Sequence, residues 1–174
     1  MRTLLAVGLL LLGACGAPPD EIVPGVRFLS GPVNGLAVDG RVLFYGDAGT
    51  EMPGVDALFL THHRRDVLAY ADVGAGQVTA PAEERALFAE PEVYWAAYQE
   101  SRIHDYAQQS SKVLTEPMRV DRWAADGDRI TLLDGALEVE VLATPGYTRG
   151  AVSYLLERGG RRIAVTGDLV YGDG

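Results

Sequence analysis

One cysteine, Cys15, stands in 174 residues, so no intramolecular disulfide can form and the fold rests on its core alone. Basic residues are scarce as well: 15 Lys and Arg against 24 Asp and Glu give a formal net charge of −9. That balance excludes a broad nucleic-acid surface, which needs clustered Lys and Arg, and no nucleic-acid partner is expected. Internal repeats and low-complexity segments are missing too. What is present is a 48% hydrophobic chain, enough for one globular domain with a core and unlike a disordered or collagen-like sequence.

The longest apolar run is N-terminal. "LLAVGLLLLGA" follows Arg2 and is too short to span a bilayer comfortably, as expected of an export signal. It ends in "LGAC". Leu, two small residues and Cys resemble the bacterial lipobox, in which the thiol is lipidated and the chain is cut just before it. The expected organisation is therefore a signal segment over 1–15, a Pro/Gly tether over 16–25 and a domain over 26–174. A lipid at Cys15 would make the membrane a partner and place the protein, exported, in the bacterial cell envelope.

Beyond the tether, "VRFLS", "GLAV", "RVLFYG" and "ALFL" are strand-length runs bounded by Gly, Pro, Asn and Asp. Asp39-Gly40, Asp134-Gly135 and Gly159-Gly160 each separate two such runs and signal hairpins. Helical signal concentrates between Pro81 and Ser110, with Glu83 and Glu84 in a first turn where the helix dipole favours acids. Tyr94 and Tyr98 follow at i,i+4 spacing, and Ile103 and Tyr106 at i,i+3. The order is strands, helices, strands.

Four polar turns end apolar strands: Asp47-Ala48-Gly49, "THHRRDV" from Thr61, "TPGYTRGAVSY" from Thr144, and Gly167-Asp168. In this order they resemble the motifs of the metallo-β-lactamase fold superfamily, the αββα metallo-hydrolases, from about Pro24 to Gly174. The resemblance implies an α/β (α+β) four-layer αββα sandwich. Little room is left for a helix between Asp47 and His62. The chain stops soon after Asp168, where the superfamily adds strands, helices and a last ligand histidine, so a C-terminally incomplete domain is expected.

Carried over by position, the resemblance makes His62, Asp66 and Asp168 metal ligands, with Asp47 supporting them and Asp66 the catalytic candidate. Arg64, Val67 and Tyr147 stand where the motif has histidine. Zinc takes about four N, S or O ligands, and three of six ligand positions survive. A guanidinium at ~4 Å from a divalent ion costs roughly 8 kcal/mol at an effective dielectric of ~20. An inward Arg64 would instead fork between Asp66 and Asp168. His63 points away from His62 on an extended backbone, and His104 reads as a helix-surface residue.

The implied cofactor is zinc, bound weakly or not at all. The leading expectation is a degraded metal site with a non-catalytic binding or scaffolding role, a small molecule being a candidate ligand. The alternative is a hydrolase of an ester, thioester, lactam or phosphoester using one metal. A structural lipoprotein with accidental motif similarity is the third reading.

Overall fold

The computed structural model describes residues 21–30, 34–44, 54–63, 75–100, 114 and 116–169. Among them are two sheets. The larger runs in sequence order: β1 (Glu21–Val23), β2 (Val26–Leu29), β3 (Gly35–Val38), β4 (Val42–Phe44), β5 (Ala57–Phe59), β6 (Gln77–Pro81) and β7 (Arg122–Ala124). It is antiparallel from β1 to β4 and parallel from β4 to β7. The smaller is an antiparallel meander of β8 (Arg129–Leu132), β9 (Leu137–Ala143), β10 (Val152–Arg158) and β11 (Arg161–Val165).

All three hairpin signals correspond to turns whose backbone demands them. Asp39 and Gly40 have φ of 51° and 63°, and Gly159 and Gly160 have 57° and 70°. These left-handed values match the right-handed twist of the flanking strands. The third turn carries positive φ at Leu133, Asp134 and Gly135. Leu133 is the unexpected member, because a branched apolar residue rarely adopts this conformation.

Two corrections concern element boundaries. Residues 21–25 belong to the domain, not to a tether: β1 pairs with β2 and Gly25 makes the turn between them at φ 81°. Pro81 ends β6 and does not open a helix; a 3-10 turn over Ala82–Glu84 intervenes before α1 (Arg85–Ala89) and α2 (Pro91–Glu100). The helical expectation over 101–110, with Ile103, His104 and Tyr106, lies outside the described residues.

The larger sheet is buried on both faces, which explains why β3 and β4 read as continuous apolar runs. One face meets the smaller sheet through Phe44, Phe59, Ile130, Val139, Val141, Tyr154 and their neighbours. The other packs Leu43, Leu58, Leu60, Val78 and Ala80 against Phe88 of α1, with Met118 and Trp123 beside them. The described residues therefore build helix, sheet and sheet as successive layers. One end of this stack, where β5, β9 and β11 run out, carries the polar turns.

Candidate functional site

β5 delivers its chain end into the protein, not into solvent. Thr61 and His62 are buried at 0% and 1% exposure. Thr61 Oγ1 and His62 Nδ1 share a hydrogen bond at 3.0 Å, which fixes the imidazole plane and turns Nε2 outward from the backbone. The Thr61 carbonyl accepts from the Val152 N–H at 3.0 Å, so the end of β5 is tied across the sheets to the start of β10.

The second element is the turn between β9 and β10. Thr144 N–H donates to the Ala151 carbonyl and Gly146 N–H to the Thr148 carbonyl, both at 3.0 Å. Thr144 and Ser153 hydroxyls meet at 2.9 Å. This closed turn places the Tyr147 ring 5.2 Å from the His62 ring, tilted by 57°. Tyr147 remains 55% exposed, so its outer face is open.

The third element follows β11. Gly167 has φ of 56°, and a β-carbon there would fall 2.5 Å from Thr61 Oγ1 and 3.3 Å from His62 Nδ1. Only glycine fits this close approach. It brings Asp168 Oδ2 to 3.6 Å from His62 Nε2, with the carboxylate side chain 13% exposed. Gly167→Ala is expected to push Asp168 off His62 and to destabilise the protein by about 1–2 kcal/mol through the left-handed backbone alone. A urea-unfolding curve together with the His62 ring resonances would check both effects.

Three sequence-predicted site residues, His62, Tyr147 and Asp168, thus come together although 106 positions separate the outer two (168 − 62). Asp47, Arg64, Asp66 and Val67 lie outside the described residues, as does Cys15. Zinc with bonds of ~2.0 Å in tetrahedral geometry sets its ligands about 3.3 Å apart, and the His62–Asp168 spacing is near that edge length. Two ligand atoms do not make a site. No cluster of three or more His, Cys, Asp or Glu able to hold a metal occurs among the described residues; of the expected ligands they include His62 and Asp168, while Asp66 lies outside them.

One group escaped the sequence reading. Glu84, read from the sequence only as an acid in a first helical turn, is buried at 5% exposure. Its Oε1 accepts a hydrogen bond from Thr148 Oγ1, and its Oε2 lies 3.0 Å from His63 Nδ1. His63 meets other groups than His62 does: its ring lies edge-on to Tyr94 and Trp95 of α2 at 6.1 Å each. No local signal marks Glu84 as inward, because neighbouring Glu83 has the same chemistry and the same charge.

Solved structures share this arrangement of sheets. The chain superimposes on a metallo-β-lactamase from Cronobacter sakazakii described by its HARLDQ motif, with TM-score 0.59, 20% identity, and 87% of this chain and 62% of that one covered. A subclass B3 metallo-β-lactamase of Bradyrhizobium japonicum matches with TM-score 0.54 and 17% identity, over 85% and 61%. The native FEZ-1 metallo-β-lactamase from Legionella gormanii matches with TM-score 0.52 and 16% identity, over 80% and 58%. No family model matches the chain, and no curated protein does either.

The fold is the one these solved metallo-β-lactamases share. This chain has that fold and spans about six-tenths of the length of the solved structures it resembles.

Proposed function

We propose that this chain is an exported, lipid-anchored protein of the metallo-hydrolase superfamily whose metal centre is degraded and which binds a small molecule without cleaving it. The observation that carries the reading is the His62–Asp168–Tyr147 grouping. An imidazole and a carboxylate keep ligand-like spacing at 3.6 Å, while the side chain that would add a second imidazole is a phenol packed on the first. A phenol is a poor substitute for a neutral imidazole as a zinc ligand. It is instead a good surface for a ligand, apolar on its face and hydrogen-bonding at its tip.

Arg64 supports the same reading. Set beside His62-His63-Arg64-Arg65-Asp66-Val67, the motif HARLDQ agrees at its first, third and fifth positions. An arginine in the third position is therefore shared with a fold relative, which favours a part of the site over a solvated pair. Because that relative is called a metallo-β-lactamase, the same likeness carries the second reading, a hydrolase with one metal held by His62, Asp66 and Asp168.

Metal analysis of the purified, unmutated protein separates the two. Much less than one zinc per chain, with no loss of stability on adding a chelator, supports the binding role. One zinc per chain, lost on Asp168→Ala, supports the hydrolase.

The anchor has its own test. Cys15→Ser is expected to leave unprocessed or released protein, read by membrane fractionation and by mass spectrometry of the N-terminal peptide. An unlipidated N-terminus and unchanged fractionation of the variant would remove the lipobox from the account.

A further inference from the structure

We infer that Glu84 is the positioning residue of this site, holding the loop that carries His62 and the turn that carries Tyr147 at their observed spacing. The importance of the spacing rests on the binding reading above, whereas the geometry itself is independent of any metal.

A carboxylate buried to this depth persists only where other groups compensate its charge. Here two different segments meet its oxygens, and the hydroxyl of one of them satisfies Oε1. Thr148, one residue beyond Tyr147, donates its hydroxyl proton to Oε1. His63, one residue beyond His62, sets Nδ1 against Oε2 at 3.0 Å, as a close contact outside hydrogen-bond alignment. The carboxylate thus sits as a wedge between the residues that follow the two facing aromatic side chains.

Three further observations place the wedge under constraint. Gly150 lies so close that a β-carbon would fall 2.5 Å from Glu84 Cγ and 3.0 Å from Glu83 Cβ, so the turn is seated directly on Glu84. Burial, and then the negative charge of Glu84, push the Tyr154 phenol well above its ordinary range. That neutral hydroxyl donates to the Leu60 carbonyl at 2.7 Å, two residues before His62. Capping does not explain Glu84, because its side chain makes no cap hydrogen bond to α1.

The strands hold without this residue, since Val152 N–H to Thr61 and Thr144 N–H to Ala151 are backbone bonds. The tip of the turn is what Thr148 and Glu84 tie down. Removing the tie should therefore move Tyr147 relative to His62 while the fold stays intact. A merely structural residue would do the reverse, lowering the melting temperature while leaving the ring contact unchanged in the folded protein.

The experiment uses the full chain labelled for aromatic NMR and reads the cross-peak between the His62 and Tyr147 rings, with thermal melting as control. Thr148→Val is expected to abolish the cross-peak with little change in melting, and Thr148→Ser, which keeps the hydroxyl, to retain it. Glu84→Ala should also abolish it; if that variant does not fold, the Thr148 pair decides alone. A full-strength cross-peak in folded Thr148→Val overturns the inference, as does equal loss in Thr148→Ser. Stoichiometric zinc in the unmutated protein would refute the degraded-centre reading and leave this outcome untouched.

Discussion

Arg64→His combined with Tyr147→His is expected to raise zinc affinity by about three decades or more. Two effects add. Exchanging a permanent cation for a neutral imidazole removes a repulsion of roughly 8 kcal/mol at ~4 Å and an effective dielectric of ~20, and half of that is already about a thousandfold in affinity. The second change puts an imidazole in place of a phenol whose ring already lies 5.2 Å from His62. Together the substitutions restore a three-imidazole set. Competition against a chelating dye measures the affinity, and Arg64→Leu serves as the control that removes charge without adding a ligand. The leucine variant should recover only the electrostatic part. Equal zinc affinity in the double variant and the unmutated protein would show that Arg64 does not reach the site.

The second large effect belongs to the core. Phe59→Ala should destabilise the protein by about 3–5 kcal/mol, as truncating a fully buried phenylalanine does. Phe59 has 0% exposure, stacks on Phe44 at 4.8 Å and meets the edge of Tyr154 at 5.1 Å. Phe44 and Phe59 are paired in register across the parallel strands β4 and β5, so one substitution opens a hole where both sheets meet. A typical domain has only about 5–15 kcal/mol in total. The urea midpoint should therefore fall sharply with an unchanged slope. Tyr147→Ala, at an exposed position, should stay within about 0.5 kcal/mol of the parent. A Phe59→Ala loss as small as that would contradict the inter-sheet core.

The hairpins were legible because their turns are local. Asp39-Gly40 and Gly159-Gly160 carry in two adjacent residues the left-handed backbone that a tight turn requires. The strands were legible from length and from the Gly, Pro and Asp that bound them. Two boundaries misled. "EIVPG" holds a proline and a glycine, which read as a tether; it is a strand and a turn because β2 is there to pair with it. Proline starts many helices, but at Pro81 the extended backbone continues β6 beside β7.

Within the site, His62, Tyr147 and Asp168 were found through the likeness of their surroundings to a known set of motifs, not through their own chemistry. The residues that build those surroundings now have physical roles. Thr61 fixes the His62 ring, Gly167 admits Asp168, Gly150 makes room for Glu84, and Tyr154 closes the core against Leu60.

By itself the sequence determined the strand and turn order, the absence of disulfides and the acidic net charge, and it puts Arg64, Val67 and Tyr147 where the motif it resembles has histidine. Each of these is a property of single residues or near neighbours. Only the tertiary structure decided that Glu84 faces inward, that it meets His63, and that Tyr147 packs on His62. Those outcomes depend on contacts between segments distant in sequence, such as Glu84 with Thr148. Packing of two sheets and a helical layer sets such contacts, and no local pattern encodes them.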